Sequence, residues 1–472
     1  MTDYKTHANF NGRLLFIGFG CVGQAVLPMI LRHISGLTPD RITILTADDA
    51  GKEEADHFGI RVLKLPLTQE NYRKVLDRLI EEGDFVLNLS VNVSSVEIIK
   101  LCQEKNALYL DTCIEPWEGR YDNPKIPAFE RTNYALREEV LALRENAPNT
   151  PTAVLTHGAN PGMVSHLVKQ ALLNIAKDTG HSITEPQTRE EWANLAMALG
   201  VKVIHVSERD TQVSNIPKVP NEFLNTWSVD GFISEGSQPA ELGWGTHEKH
   251  FPHDGNHHDF GTKSAIFLNQ PGCNTRVRTW SPIAEHFHGF LITHGEAISI
   301  TEYLTVHQDG KAVYRPTVHY SYHPSDNAVL SVHEFCGRNY RAQPVKRIMV
   351  DDIIGGVDEL GVLLAGHAKN AYWYGSQLTT AEARKLCPYN SATTLQISSS
   401  VLAGIVWAMN NPTKGIVEPE EMDFRDCLEV CKPYLGPIVG KYTEWNPLEG
   451  RESLFEEDLD LADPWQFKNV RV

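Results

Sequence analysis

A chain of 472 residues that is 42% hydrophobic and 9% aromatic has material for two or three domains of about 100–200 residues each, which excludes a disordered polypeptide. Its 60 acidic residues against 43 basic ones leave a net charge of −17, a field that repels nucleic acid and attracts cationic ligands. The eight cysteines are scattered without a CxxC pair, the start from Met1 to Asn11 is polar, and no apolar run reaches the ~20 residues of a membrane span, so a reduced, cytoplasmic protein with no membrane anchor is expected.

Arg13 to Ile17 is a short apolar run that ends in glycine. Gly18-Phe19-Gly20-Cys21-Val22-Gly23 follows, then a helical stretch from Gln24 to His33. A second strand, Arg41 to Thr46, ends at Ala47-Asp48-Asp49. The pattern next predicts a helix over Gln69 to Glu82 and a strand over Asp84 to Leu89. Ser94 with Glu97 makes a capping box for a helix through Cys102. Strand Ala107 to Asp111, helix Tyr134 to Asn146 and strand Thr152 to Thr156 complete the run. Such βαβ alternation with apolar strands predicts an α/β fold with a parallel, doubly wound sheet of the Rossmann type. The first domain is placed at residues 1–158, completed by part of 371–410.

The glycine motif points to a dinucleotide. Gly18 permits the tight turn, Gly20 lets backbone approach a pyrophosphate, and Gly23 lets the helix pack closely on the strand. The N–H groups of Cys21 and Val22, at the helix start, would face the phosphates. Asp48 lies 25 residues beyond Gly23, near the usual spacing of about 20. It or Asp49 would bond ribose hydroxyls, which favours NAD over NADP, with Lys52 nearby as the residue that suits a 2′-phosphate. Further polar residues close the later strands: Asn88, Ser90 and Asn92, then Asp111, Thr112, Glu115 and Pro116, then His157 and Asn160. Strand ends of this kind line the cofactor crevice of a doubly wound sheet.

From about Asn160 to Asn370 glycine, histidine and aromatic residues become denser. Val201 to Ser207, Ala265 to Leu268, Gly289 to Ile292, Ala297 to Leu304 and Arg315 to Tyr322 read as strands of an antiparallel or mixed sheet. Asn225 to Gly236 and Pro252 to Gly261 read as long loops. This is a second, mixed α+β substrate and dimerisation domain at 159–370. Two features suit cations: Glu208 after an apolar strand, and the Trp227 to Glu235 segment, where a carboxylate bonds an ammonium and an indole face holds a second cation. Packing for Trp227 and simple solvation for Glu208 and Glu235 are the alternatives. His294 closes a strand-like run and suits an acid or base near neutral pH. His247, His250, His253, His257 and His258 lack metal-site spacing, and Cys427 with Cys431 reads as packed thiols, so no metal is expected. A long apolar helix, Thr393 to Asn410, packs on the first domain. Residues 411–472 form an acidic segment with a short helix at Met422 to Cys431, which either closes over the site or wraps a partner subunit.

Several longer strings carry a resemblance: Gly18-Phe19-Gly20-Cys21-Val22-Gly23-Gln24, Asp111-Thr112-Cys113-Ile114-Glu115-Pro116-Trp117, His157-Gly158-Ala159-Asn160-Pro161-Gly162-Met163, Trp227 to Glu235, and Thr293-His294-Gly295-Glu296. With them the chain resembles the bacterial homospermidine synthases over essentially its whole length. The resemblance implies a saccharopine or carboxynorspermidine dehydrogenase-like architecture, a tightly held NAD and a homodimer. It implies a reaction in which a hydride leaves putrescine, the imine exchanges ammonia for a second putrescine, and the hydride returns to give homospermidine. Spermidine in place of one putrescine would release diaminopropane. By matching motif, Asn160, Glu115 and His294 would position amines or move protons. A carboxynorspermidine- or saccharopine-type dehydrogenase is the rival. Its substrate carboxylate calls for an arginine, for which Arg209 is the candidate. A non-catalytic NAD-binding protein is the third reading.

Overall fold

Among residues 14–154 six strands of one sheet alternate with helices: β1 Leu14–Ile17, β2 Ile42–Thr46, β3 Arg61–Lys64, β4 Phe85–Asn88, β5 Leu108–Asp111 and β6 Ala153–Val154. They lie in the order β3-β2-β1-β4-β5-β6, and the short strand Ile416–Val417 adds a seventh beside β6. Every pairing is parallel. This is the doubly wound order in which a dinucleotide lies across the switch point between β1 and β4. β1, β4 and β5 are buried on both faces, which explains why they read as unbroken apolar runs. This computed structural model describes residues 4–472 apart from 122, 145–149, 183 and 389.

The helix after the glycine motif, α1, starts earlier than its periodicity predicts, at Cys21, and runs to His33. The helix expected over Gln69 to Glu82 is only Tyr72–Leu76, because the Arg78 and Leu79 amides turn to the carbonyls three residues back and tighten the chain out of the α-form. The helix expected from Tyr134 spans Asn133–Leu141, and residues 145 and 146 of that expectation lie outside the described residues.

The second layer is a ten-stranded mixed sheet. In chain order its strands are β7 Val203–Asp210, β8 Pro239–Gly243, β9 Gly255–His257, β10 Ala265–Pro271, β11 Arg276–Ser281, β12 Glu285–Phe290, β13 Thr317–His323, β14 Val357–His367, β15 Asn370–Thr379 and β16 Ile438–Thr443. In space they run β9-β10-β8-β13-β7-β14-β15-β16, with the β11–β12 hairpin on β13. β7 and β13 pair in parallel, while β7 and β14 are antiparallel. The hairpin β14–β15 thus straddles residue 370, and β16 comes from beyond residue 411.

Two expectations for this region are corrected. Asn225 to Gly236 is not a loop: Val229–Ser237 is a helix, α2, whose start is capped by the Ser228 hydroxyl and anchored by buried Phe232. Its two glycines hide it from propensity. Ala297 to Leu304 is not a strand but part of helix α3, Gly295–Tyr303. Residues 296–301 are all buried, polar Glu296, Ser299 and Thr301 among them, so no exposed polar face marks a helical period. Pro252 to Gly261 contains the edge strand β9. Helix α4, Asp326–Gly337, packs on the short strand Glu222–Asn225 and on the turn Gly272–Asn274.

The apolar helix α5 spans Ala392–Asn410. It is long and apolar enough to cross a membrane, but 89% of it is buried inside the protein, and it serves as a core helix between the two sheets. The acidic tail is built in as well: Ile416–Val417 extends the first sheet, β16 edges the second, and Trp445, Trp465, Phe467 and Val470 pack under the second sheet.

Candidate active site

The glycine loop has the geometry that an anion needs. Gly18 has φ +85°, and a Cβ there would sit 2.9 Å from the Leu89 carbonyl. Gly20 precedes α1 without any side-chain cap, and nothing lies within 4 Å of where its Cβ would be. The space beside Gly20 at the start of α1 is therefore open, which fits the approach of a pyrophosphate. Gly23 differs from expectation: the ring of Phe19, at 2.9 Å, fills the space beside it, not the strand. The Cys21 thiol rests against the Ser228 backbone, so the start of α2 stands at the mouth of this loop; burial pushes the thiol up to about 11. Val22 packs on the main core.

At the end of β2, Asp48 is exposed and accepts the Ala50 amide at 2.9 Å. Asp49 is paired with Lys64 at 2.5 Å, so Asp48 is the one without a cation partner among the described residues. Asn88, Ser90 and Asp111 do meet at the strand ends, mostly through one another. Asn88 accepts the Ser90 hydroxyl at 2.6 Å and donates to the Tyr109 hydroxyl at 3.2 Å. Tyr109 donates to Asp111 at 2.8 Å, and the Thr156 amide donates to its other oxygen at 2.7 Å. Burial holds Asp111 up to about 6. Thr112 is half-buried beside Gly158. His157, from the same set of strand ends, turns inward instead and meets His166 at 2.9 Å in the core.

Opposite this loop, one face of the second sheet carries the remaining residues. Residues two apart on a strand share a face, so Glu208 and Asp210 on β7 stand beside Tyr320 and Tyr322 on β13 and Asp358 on β14. Asn160 Nδ2 donates to Glu208 Oε2 at 3.1 Å, and the Tyr320 hydroxyl donates to the same oxygen at 2.6 Å. Glu208 Oε1 has no hydrogen-bond partner among the described residues. Burial, opposed by those bonds and aided by the charge of Asp210, lifts Glu208 to about 7. Asp358 is pushed well above the carboxylate range by burial and then by Glu208 and Asp210.

His294 caps this arrangement at the start of α3. Its Nε2 lies 3.1 Å from Glu235 Oε2 and its Nδ1 3.2 Å from Glu296 Oε1. Burial alone would lower its pKa, but Glu296 and Glu235 outweigh it and raise it to about 10. His294 is therefore an imidazolium at neutral pH, not the group titrating near 7 that its sequence suggests. Its position is fixed from the neighbouring loop, because Glu241 accepts the Thr293 hydroxyl at 2.8 Å and the Asn133 amide at 2.7 Å. The His294 ring packs on Tyr320 at 4.3 Å, Tyr320 stacks on Tyr322 at 5.3 Å, and the Tyr322 hydroxyl accepts from Trp227 Nε1 at 3.1 Å. Trp227 is half-buried against Phe232.

Glu115 joins from the nucleotide side. It accepts the Asn92 amide at 3.2 Å, and burial with the charges of Glu235 and Asp111 raises it to about 8. Glu115, Asn160, Glu208, Trp227, Glu235 and His294, from five separate segments, thus form one connected group. Tyr320, Tyr322, Asp210, Asp358 and Glu296 belong to it and were not singled out from sequence. Their signal was the two-residue alternation of β7 and β13, and the carboxylate two residues beyond His294. A separate cavity of about 440 Å³ is lined by Arg189, Glu190, Glu302, His307 and Arg315. Its arginines suit no dication, and it contains none of these residues.

Comparison with known proteins gives the family. Residues 14–154 match the saccharopine dehydrogenase NADP binding domain, and residues 158–442 the saccharopine dehydrogenase C-terminal domain. A homospermidine synthase of Blastochloris viridis is 52% identical over 476 residues, covering 100% of both chains. The chain belongs to the homospermidine synthase family. The homospermidine synthase of Mesorhizobium japonicum is 51% identical, covering 100% of this chain and 98% of that one. The crystal structure of a homospermidine synthase from Legionella pneumophila, in complex with NAD, superposes with a TM-score of 0.92 at 48% identity over 98% of each chain. In this member of the homospermidine synthase family the two domain models meet near residue 156, between the nucleotide loop and the acidic face.

Proposed function

We propose that this chain is an NAD-dependent homospermidine synthase, which transfers an aminobutyl group between diamines. The observation that carries the reading is the charge balance of the site. The hydrogen-bond and ion-pair partners of Glu115, Glu208, Glu235 and Glu296, among the described residues, include one cation, His294. Buried charges without partners are costly, and a diammonium ligand supplies the missing positive charge. The rival substrate carboxylate finds no arginine: Arg209 points to the opposite face of β7 and is spent on the Asp210 and Pro324 carbonyls and on Asp326.

When bound, NAD supplies hydride removal from the carbon beside an amine and hydride return. Gly18, Gly20, Cys21, Val22 and Gly23 hold its pyrophosphate, Asp48 its ribose hydroxyls, and Asn88, Ser90, Asp111 and Thr112 shape the crevice. Oxidation of putrescine leaves an imine; the second amine adds, ammonia leaves, and reduction of the new Schiff base closes the cycle without net redox change. Glu208 Oε1 and Glu235 accept ammonium protons, and each must release an amine to let it react. Glu208 and Glu115, raised to about 7 and 8, are suited to proton exchange near neutral pH. The His294 imidazolium holds Glu235 in place, while Asn160 fixes Glu208 and the Trp227 face shelters a cationic centre. The aromatic row keeps water from the imine.

We further propose a cytoplasmic homodimer. Val213, Ile216, Val219, Val345 and Ile354 are each at least 52% exposed on adjoining segments, an apolar patch of the kind that a partner surface covers.

Incubation with putrescine and NAD⁺ tests the function. Homospermidine and ammonia without net NADH are expected, whereas steady NADH consumption with an amino acid and an aldehyde would establish the dehydrogenase instead. For the cofactor site, Gly20→Val should fold normally, since the space around Gly20 is open, yet lose NAD retention. Gly18→Ala should instead lose ~1–2 kcal/mol or more of stability, because its φ is left-handed. Cofactor occupancy and Tm of the two variants separate these effects.

Stability should fall between about pH 7 and 8 in the absence of diamine. The raised pKa of His294 gives stability that is complete below 6.5 and is lost as pH rises through about 10. Glu208 and Glu115 start from 4.5, so the stability that their protonated, folded forms give is lost from that pH upward, fully by about 7 for Glu208 and about 8 for Glu115, which leaves His294 and Glu115 to carry the fall above pH 7. Lys169, lowered by burial to about 8, opposes this only above that pH. Saturating putrescine should flatten the fall, which Tm measured across this range will show.

A further inference from the structure

Outside the amine site, two cysteines from distant parts of the chain meet. Cys273 lies on the turn Gly272–Asn274 and Cys336 near the end of α4, and their sulfurs are 3.9 Å apart. Cys273 is buried, whereas Cys336 is half-buried and reachable from solvent. The Arg276 guanidinium reaches the same spot, donating to the Cys273 carbonyl at 3.0 Å. The contact with Cys273, then the charge of Arg276, outweigh burial and bring the Cys336 thiol down to about 7. A thiolate beside a resolving thiol is the arrangement that oxidants attack selectively.

The turn that carries Cys273 is tied to the catalytic machinery. Its Cβ lies 3.2 Å from where a side chain on Gly236 would begin, and the Gly272 amide donates to the Gln238 carbonyl at 3.1 Å. Both contacts hold the C-terminal end of α2, where Glu235 pairs with His294. A disulfide needs sulfurs about 2.05 Å apart, so closing the 3.9 Å gap shifts the sulfurs by nearly 2 Å against a turn whose Cys273 Cβ already touches Gly236.

We infer that Cys273 and Cys336 form a peroxide-sensitive pair whose disulfide disturbs Glu235 and lowers activity. The Cys336 thiolate attacks a peroxide, the O–O bond breaks, and a sulfenic acid and hydroxide result. The Cys273 thiol then attacks that sulfur, water leaves, and the S–S bond forms. The two thiols give up two electrons and the peroxide ends as two waters. A dithiol reductant reverses the step.

The test treats the NAD-loaded enzyme with dilute hydrogen peroxide and follows peptide mapping without reduction alongside putrescine turnover. A peptide linking Cys273 to Cys336 should appear, activity should fall severalfold in step with it, and both should revert with dithiothreitol. Cys336→Ser should keep the untreated activity and withstand the oxidant. Oxidation confined to other thiols such as Cys21 or Cys113, a cross-link that leaves turnover unchanged, or a Cys336→Ser enzyme as sensitive as the parent would each overturn the proposal.

Discussion

Glu208→Gln should lower kcat/KM for putrescine by about 10- to 150-fold, the value of a hydrogen bond to a charged group at ~1.5–3 kcal/mol. Two donors already occupy one oxygen of Glu208, and its other oxygen has no protein partner among the described residues, so an ammonium is the group left to fill it. Glutamine keeps the Asn160 and Tyr320 contacts available but removes the charge. Stability should hold or rise, because a carboxyl lifted to about 7 by burial is costly to ionise in the folded protein. Glu235→Gln should act differently. It withdraws one of the two carboxylates that sustain the His294 imidazolium, so the pKa of His294 should fall and the alkaline limb of the rate profile should move to lower pH. Steady-state kinetics across pH, with Tm, distinguish the two variants. Unchanged kcat/KM in both would remove these carboxylates from the amine site.

Replacement of Trp227 should produce the order Trp, Phe, Ala in activity with a modest loss of stability. A cation over an indole contributes about 0.5–2 kcal/mol, most when desolvated. Phenylalanine keeps a weaker ring and loses the hydrogen bond from Nε1 to Tyr322, worth about 1 kcal/mol. Because Trp227 is only half-buried, alanine should cost less than the ~3–5 kcal/mol of a core tryptophan. Turnover and Tm are to be measured together. An alanine variant destabilised by several kcal/mol, yet turning over normally below its Tm, would make Trp227 a packing residue and nothing more.

The sequence carried the first sheet well, since buried parallel strands such as β1, β4 and β5 are uninterrupted apolar runs and the glycine motif marks the turn between β1 and α1. It carried α2 and α3 poorly. Gly231 and Gly236 lower helix propensity in α2, while α3 is buried on every side and so has no polar face to reveal its period. The gathering of Glu115, Asn160, Glu208, Trp227, Glu235 and His294 follows from strand pairing between residues more than a hundred apart, such as Glu208 with Tyr322, which no local pattern contains. The charge of His294 was misjudged for the same reason: Glu296 is two residues away, but Glu235 arrives from another helix. The tail from residue 411 read as a separate acidic segment, because a two-residue strand and an edge strand leave little periodicity.

Returning the hydride to the carbon it left, once that carbon is bound to the second amine, is what distinguishes this site from a dehydrogenase. Putrescine deuterated on the carbons beside its nitrogens, supplied to the NAD-loaded enzyme with unlabelled NADH in solution, tests it most directly. The expected product is homospermidine that keeps both deuteriums on the carbon of the newly formed carbon–nitrogen bond, not one, with ammonia released and the NADH pool unlabelled. Deuterium passing into the free NADH, or labelled aldehyde accumulating without homospermidine, would contradict it.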